Sequence, residues 1–231
     1  MPETIFNDID RCQTPAELFD LTSDYFQGQG FGGLCYVAPS GPAGPFTMLD
    51  RGMPADFMTR YREEGLYRFD PLPALAFRLG HAERLGELVK QLPRLNADED
   101  SFIQELKCTG LCDALIIPTY GPLGRPGILA LAYPVHPRLL DEMNIPLAAA
   151  VAQQVHTRME LLQVHDPIPG LSPREREILN WLCQGKSGSD IATILGLAAP
   201  TVTTHIQRVY AKLHVHDRIT ACAKAAAHHY I

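Results

Sequence analysis

The run Asp190–Leu213 constrains this chain most tightly, because its pattern admits two short helices with a fixed break between them. Ile191, Ala192 and Leu195 recur as the apolar stripe of a helix. Gly196 supplies a stop, since glycine takes the left-handed C-terminal conformation without strain. Pro200 suits a first helical turn, where its missing N–H has no intrahelical partner anyway. Val202, Ile206, Val209 and Leu213 then fall at spacings of four, three and four, again one face. The opposite face carries Thr203, Thr204, Gln207, Arg208, Ala211 and Lys212. Helix, tight turn and helix, with hydrogen-bonding side chains on the outer face of the second, fits the DNA major groove. The plain alternative is a surface helical hairpin with a solvated face.

The flanks decide between these readings. Upstream, Ser172, Pro173 and Glu175 occupy N-cap, N1 and N3 of a helix, a capping box. Ile178, Leu179 and Leu182 form its stripe and Gly185 ends it. Downstream, Val215–Ile231 is an Ala-rich helix that closes a small bundle. The segments Leu171-Ser-Pro-Arg-Glu-Arg-Glu-Ile-Leu, Gly185-Lys-Ser, Asp190-Ile-Ala, Thr201-Val-Thr-Thr-His205 and Lys212-Leu-His-Val closely resemble the DNA-binding domain of LuxR-type transcription regulators. The resemblance covers all of Leu171–Ile231. It departs from the family at Ala198, where Ser or Thr is usual, at Thr203, where a basic residue is common, and at His229, where Gly is usual. It implies base reading by Thr203, Thr204 and Gln207 beside Arg208, and phosphate contacts from Lys186, Thr201, Lys212 and Arg218. It also implies a homodimer on an inverted-repeat double-stranded site, with RNA polymerase as a further partner.

Net charge, −6 over 231 residues, opposes DNA binding until it is divided. Residues 171–231 hold seven basic and four acidic side chains, a net +3, which leaves −9 on the remainder. A basic module on an acidic partner domain matches that asymmetry, and so modest a charge makes useful affinity depend on a dimer. No apolar stretch approaches the roughly 20 residues of a membrane span. The N-terminus has no basic segment before an apolar core, so a cytoplasmic location is expected. Of the six cysteines only Cys108 and Cys112 are close, too few for a zinc site, and reduced thiols are expected. No phosphate loop, nucleophile elbow or paired metal histidines occur, so neither an enzyme nor a bound cofactor is expected.

Taken in order, Thr14-Pro-Ala-Glu17 opens a helix through Phe26, and Leu34–Ala38 and Phe46–Leu49 read as a hairpin around the turn 40–45. Helices are expected over Pro54–Glu64, Asp70–Leu79 and Asp98–Cys108, strands over Ala114–Pro118 and Ile128–Tyr133, and a long helix over Asp141–Gln163, bent near Pro146. The stripe Leu147, Ala150, Val151, Gln154, Val155, Arg158 and Leu162 of that last helix is a candidate dimer face. The expected architecture is an α/β sandwich sensor domain, an antiparallel sheet flanked by helices, over 1–163. A Pro-rich linker follows over 164–170, then an all-α helix-turn-helix domain over 171–231.

The N-terminal half also resembles the LuxR family, as its domain for acyl-homoserine lactone signals, through Phe57-x-x-x-Tyr61, Asp70-Pro71 and Gly110-Leu-Cys-Asp-Ala-Leu-Ile-Ile-Pro118. The resemblance implies that Asp70 accepts from a ligand N–H and that Tyr61 bonds an acyl carbonyl. For Asp70 the alternative is an N-cap of the helix after Pro71. Phe57 stands where the family has a Trp that donates to the lactone carbonyl, and Phe has no donor. Leu85 falls at a second Trp position, Ala114 at a Gly, and Tyr133 where Ser or Thr reaches the signal. The small-molecule signal is thus an acyl-homoserine lactone bound differently, or another compound. A ligand-independent dimeric regulator and a response regulator remain as alternatives. The latter lacks its hydrophobic strand before an acidic cluster at Asp8 and Asp10.

Overall fold

Runs such as Leu115-Ile-Ile and Ile128-Leu-Ala-Leu lack the polar alternation of a half-exposed strand, and the reason is that both faces of their sheet are covered. The computed structural model describes residues 2–39, 46–111, 113–121, 125–136, 138–162 and 170–227. The expected turn at 40–45, the linker up to residue 169, Cys112 and His229 lie outside them. The described residues divide into two units, 2–39 with 46–162, and 170–227.

The first unit runs α1 (Pro2–Arg11), α2 (Pro15–Gly28), β1 (Phe31–Pro39), β2 (Phe46–Arg51), α3 (Ala55–Glu63), a 3-10 turn (Leu66–Phe69) and α4 (Leu72–Leu79). It continues with β3 (Glu83–Arg84), α5 (Leu85–Lys90), α6 (Ala97–Cys108), β4 (Ala114–Tyr120), β5 (Pro126–Pro134), α7 (Leu139–Glu142) and α8 (Ile145–Leu162). The strands form an antiparallel sheet in the order β2-β1-β5-β4-β3. Strand alternation sorts side chains into cross-strand rows. Leu34–Leu131–Leu115 and Tyr36–Leu129–Ile117 are two adjacent rows of one face, packed with Ile9 of α1, Phe26 of α2 and Val151, Val155 and Met159 of α8. The opposite face carries the smaller rows Gly33–Ala132–Ala114 and Cys35–Ala130–Ile116, under α3 to α6.

The long helix expected over Asp141–Gln163 is instead α7 and α8, separated at Met143–Asn144. Asn144 accepts from the Leu147 N–H at 3.0 Å, as a cap does, and Pro146 sits in the first turn rather than at a bend. The candidate dimer stripe is also corrected. Val151 and Val155 are in the domain's own core, Arg158 donates to the Cys12 carbonyl of the α1–α2 connection, and Gln154 donates to Asp10 of α1. Helix α1, which the sequence pattern does not announce, packs beside α8 and gives Gln154 its partner, while Ala150 of the stripe stays exposed.

A buried polar chain fixes α8 to the sheet. The Tyr36 hydroxyl meets His156 Nδ1 at 2.8 Å, and His156 Nε2 lies 3.1 Å from the Arg125 carbonyl. A carbonyl only accepts, so Nε2 carries the proton and Nδ1 accepts from Tyr36. Burial lowers the His156 pKa, which keeps the ring neutral. Glu160, one turn on, pairs with Arg125 at 3.1 Å. Gly127 makes room for this: a Cβ there would lie 2.5 Å from the imidazole and 2.9 Å from Thr119 Oγ1.

The second unit is a bundle of α9 (Pro173–Cys183), α10 (Gly188–Leu195), α11 (Ala199–Leu213) and α12 (Arg218–Ala227). Ser172 and Glu175 form the expected capping box on α9, and Ser187 with Asp190 forms a second on α10. Gly196 ends α10 at φ 63°. Ile178, Leu182, Ile191 and Val202 form one apolar cluster, and Leu171, Leu179, Val209, Leu213, Ala221 and Ala225 another. Cationic side chains close the helix ends. Arg218 donates to the Leu182 carbonyl near the end of α9, and Lys224 to the Leu213 carbonyl of α11 at 2.8 Å.

Helix α11 begins at Ala198, whose extended backbone is that of an N-cap but whose side chain accepts nothing. Ala198→Ser adds a side-chain acceptor for the Thr201 N–H, which now has only the Ala198 carbonyl, and is expected to stabilise this unit by about 0.5–1 kcal/mol, read as a higher thermal midpoint. An unchanged midpoint would show that the Ala198 carbonyl, which already takes the Thr201 N–H at 2.9 Å, is cap enough.

Candidate ligand cavity and nucleic-acid interface

Small residues on one sheet face leave a hollow of about 280 Å³ between that face and α3 to α6. Its wall is overwhelmingly apolar, with Phe46, Phe57, Phe77 and Phe102 among the rings and Met48, Met53 and Met58 among the flexible side chains. Asp70 is the wall's carboxylate, set between the 3-10 turn and α4. Pro71 directs the chain into α4, and Asp70 Oδ1 accepts from the Leu72 N–H at 2.9 Å. Asp70 Oδ2 accepts from the Tyr61 hydroxyl, also at 2.9 Å. The capping role and the pocket role thus share one carboxylate. Each oxygen keeps a second lone pair. Burial pushes the Asp70 pKa up to about 6, against the two hydrogen bonds that favour the charged form. Burial likewise pushes the Cys35 thiol up to about 12.

Of the residues expected at a ligand, Phe57, Tyr61, Asp70 and Leu85 line this cavity. Ala114 and Tyr133 do not. Ala114 is fully buried at the start of β4, and Tyr133, left-handed at φ 54°, donates from its hydroxyl to the Thr109 carbonyl at 3.2 Å. Counting from motifs places a residue on a strand but not the end at which that strand leaves the wall. The sequence reading passed over Phe46, Met48, Tyr67 and Phe102. Phe46 and Met48 alternate along β2, a period-2 signal that puts both on one face. Phe46, Tyr61 and Tyr67 have ring centroids 4.6–6.3 Å apart beside Asp70. Among the described residues no group of His, Cys, Asp and Glu is arranged to hold a metal ion.

In the second unit α11 presents Thr201, Thr203, Thr204, Gln207 and Arg208 to its exposed side while Val202, Val209 and Leu213 are buried. The hydroxyls of Thr203 and Thr204 donate to the Ala199 and Pro200 carbonyls at 3.1 and 3.0 Å, so they offer acceptors outward. Lys186 is exposed in the connection before α10. Lys212 and Arg218 have partners inside the unit. Lys212 pairs with Glu175 at 2.7 Å, and Arg218 holds α12 to α9. Although burial raises the Glu175 pKa, its bonds to Lys212 and Ser172 hold it below the usual carboxylate range.

Residues 14–159 match the family described as "Autoinducer binding domain", and residues 169–225 match "Bacterial regulatory proteins, luxR family". The chain is 25% identical to the transcriptional activator PhzR of Pseudomonas fluorescens over 222 residues, 93% of this chain and 85% of that protein. It is 25% identical to the activator LuxR of Aliivibrio fischeri over 178 residues, 74% of this chain and 70% of that one. The solved structure of Escherichia coli SdiA superposes with a TM-score of 0.69 at 20% identity, covering all of this chain and 98% of that one. SdiA in complex with octanoyl-rac-glycerol superposes with a TM-score of 0.71 at 20% identity, covering 98% and 93%. An autoinducer-binding sensor fused to a helix-turn-helix module defines a quorum-sensing transcription regulator. The chain belongs to the LuxR family of such regulators. The sensor match over 14–159 removes the response-regulator alternative.

Two outcomes test these sites. Asp70 binds its proton more tightly folded than unfolded, so its burial costs stability above about pH 6, and the cost fades as pH falls from 6 towards 4. Asp70→Asn is therefore expected to be the more stable protein at pH 7–8, by up to about 3 kcal/mol, and to match wild type near pH 4 in denaturant melts. A difference that stays constant with pH would mean the carboxylate is not desolvated. In binding assays, Gln207→Ala should weaken specific DNA by about 1–3 kcal/mol, while Lys186→Ala should weaken all sequences alike and flatten the salt slope by about one unit. Equal loss on specific and random DNA would take Gln207 out of the base-reading set.

Proposed function

We propose that this regulator works in the cytoplasm as a homodimer on an inverted-repeat promoter site, with RNA polymerase as a further partner, and that it carries out no catalysis. A small molecule held in the sensor cavity governs its DNA binding. The observation that carries this reading is the apolar hollow walled by Phe57, Tyr61, Leu85 and Asp70, in which a buried carboxylate retains lone pairs for a donor. Base contacts come from Thr203, Thr204, Gln207 and Arg208, and phosphate contacts from Lys186 and Thr201. Lys212 and Arg218 join them only by exchanging the internal partners they hold in the free unit. Among the described residues no helix is long and apolar enough to cross a membrane. Mass spectrometry of small molecules co-purified with the protein, followed by gel shift with and without them, tests the reading. DNA binding indifferent to every co-purified compound favours the ligand-independent alternative.

Phe57 turns the reading away from common acyl-homoserine lactones, because its ring has no N–H for the lactone carbonyl. That fits the SdiA complex with octanoyl-rac-glycerol, a ligand without a lactone. Thermal-shift titration with lactones of different chain length is expected to show weak or no binding by wild type, and about tenfold or greater improvement in Phe57→Trp. Sub-micromolar lactone binding by wild type would overturn this.

A further inference from the structure

We infer that the cavity takes an apolar ligand whose polar head donates a hydrogen bond to Asp70 and presents few carbonyl acceptors, as an alkylamine or alkylphenol does. The inference rests on the sensor reading above and names the chemistry of its ligand. Its ground is the balance of donors and acceptors around the hollow. Among the described lining side chains, N–H and O–H groups occur only on Tyr61 and Tyr67, with a weaker S–H on Cys35. The Tyr61 proton already goes to Asp70 Oδ2. The backbone N–H nearest the carboxylate, that of Leu72, goes to Oδ1. Tyr67, half-buried against Phe46, is left as the hydroxyl to serve a ligand acceptor. On the other side of the balance stands Asp70, a half-buried carboxylate on the wall with two lone pairs open and no Lys, Arg or His in the described wall. An acyl-homoserine lactone brings one N–H, which Asp70 can take, and two carbonyls, of which Tyr67 can serve one. A donor head on an apolar body satisfies Asp70 without bringing buried carbonyls: a phenol through its one O–H, an ammonium through two of its three N–H groups. The rings of Phe46, Tyr61 and Tyr67 beside the carboxylate accommodate either a phenol, by edge and face packing, or an ammonium.

The test uses the full-length protein and four probes of similar bulk: octylamine, 4-pentylphenol, methyl octanoate, which only accepts, and octanoyl-homoserine lactone. Isothermal titration is expected to show the amine, the phenol or both binding at least tenfold tighter than the ester and the lactone, and which of the two binds identifies the head. Asp70→Asn keeps an acceptor for the Leu72 N–H but turns an amide N–H towards Tyr61 and the hollow, so it is expected to lose donor binding tenfold or more while ester binding holds or improves. The melting curve of the ligand-free variant establishes that it folds. Equal affinity for ester and donors, donor binding unchanged in Asp70→Asn, or no binding by either donor overturns the inference. A lactone-only response overturns it too, yet leaves the sensor reading standing. The sensor reading itself fails separately, if no co-purified compound alters DNA binding.

Discussion

The sensor unit depends on a sheet covered on both faces with unequal rows of side chains. Leu34–Leu131–Leu115 and Tyr36–Leu129–Ile117 fill one side to the density of a normal core. On the other side the shorter row Cys35–Ala130–Ile116 lines the hollow, while Gly33–Ala132–Ala114 lies outside it. The hollow follows from that difference in side-chain length. The filled face carries the unit's packing, since Tyr36 and Phe26 are almost wholly buried there and each such side chain contributes about 1.5–3 kcal/mol.

Polar groups inside this unit play opposite parts. On the filled side Tyr36, His156, Arg125 and Glu160 form one chain in which each ring nitrogen of His156 has a partner. That satisfies the imidazole without charge and fixes α8 against β1 and the start of β5. On the hollow side Asp70 is only half satisfied, by Tyr61 and Leu72. A buried ring with both nitrogens partnered contributes rigidity, whereas a carboxylate with open lone pairs facing a hollow is a place where a donor belongs.

Much of this was legible in the sequence, for particular reasons. Ser172-Pro-Arg-Glu175 and Gly196 carry their own stereochemistry, so the caps and the break between α10 and α11 could be read directly. Phe57, Tyr61 and Asp70 stand at motif spacings on elements with a clear period, and they meet at the hollow. What could not be read depends on contacts between distant residues. Nothing near Val151 announces that α1 will cover it, and Lys212 is paired with Glu175, 37 residues away. Tyr133 was misplaced because a positive φ on a tyrosine has no local signal. Pro146 was read as a bend when Asn144, two residues before it, makes it a beginning.

The hollow also bears on how long a molecule of this protein lasts. The apolar side chains around an unfilled hollow of about 280 Å³ lack the packing partners that an occupant would give them. An occupant therefore completes the core as well as occupying a site, and its binding free energy adds directly to the folding free energy. The empty chain opens more often and is cut by proteases in proportion to that open population. On the reading proposed above, the supply of the compound would set the number of regulator molecules as well as their DNA affinity.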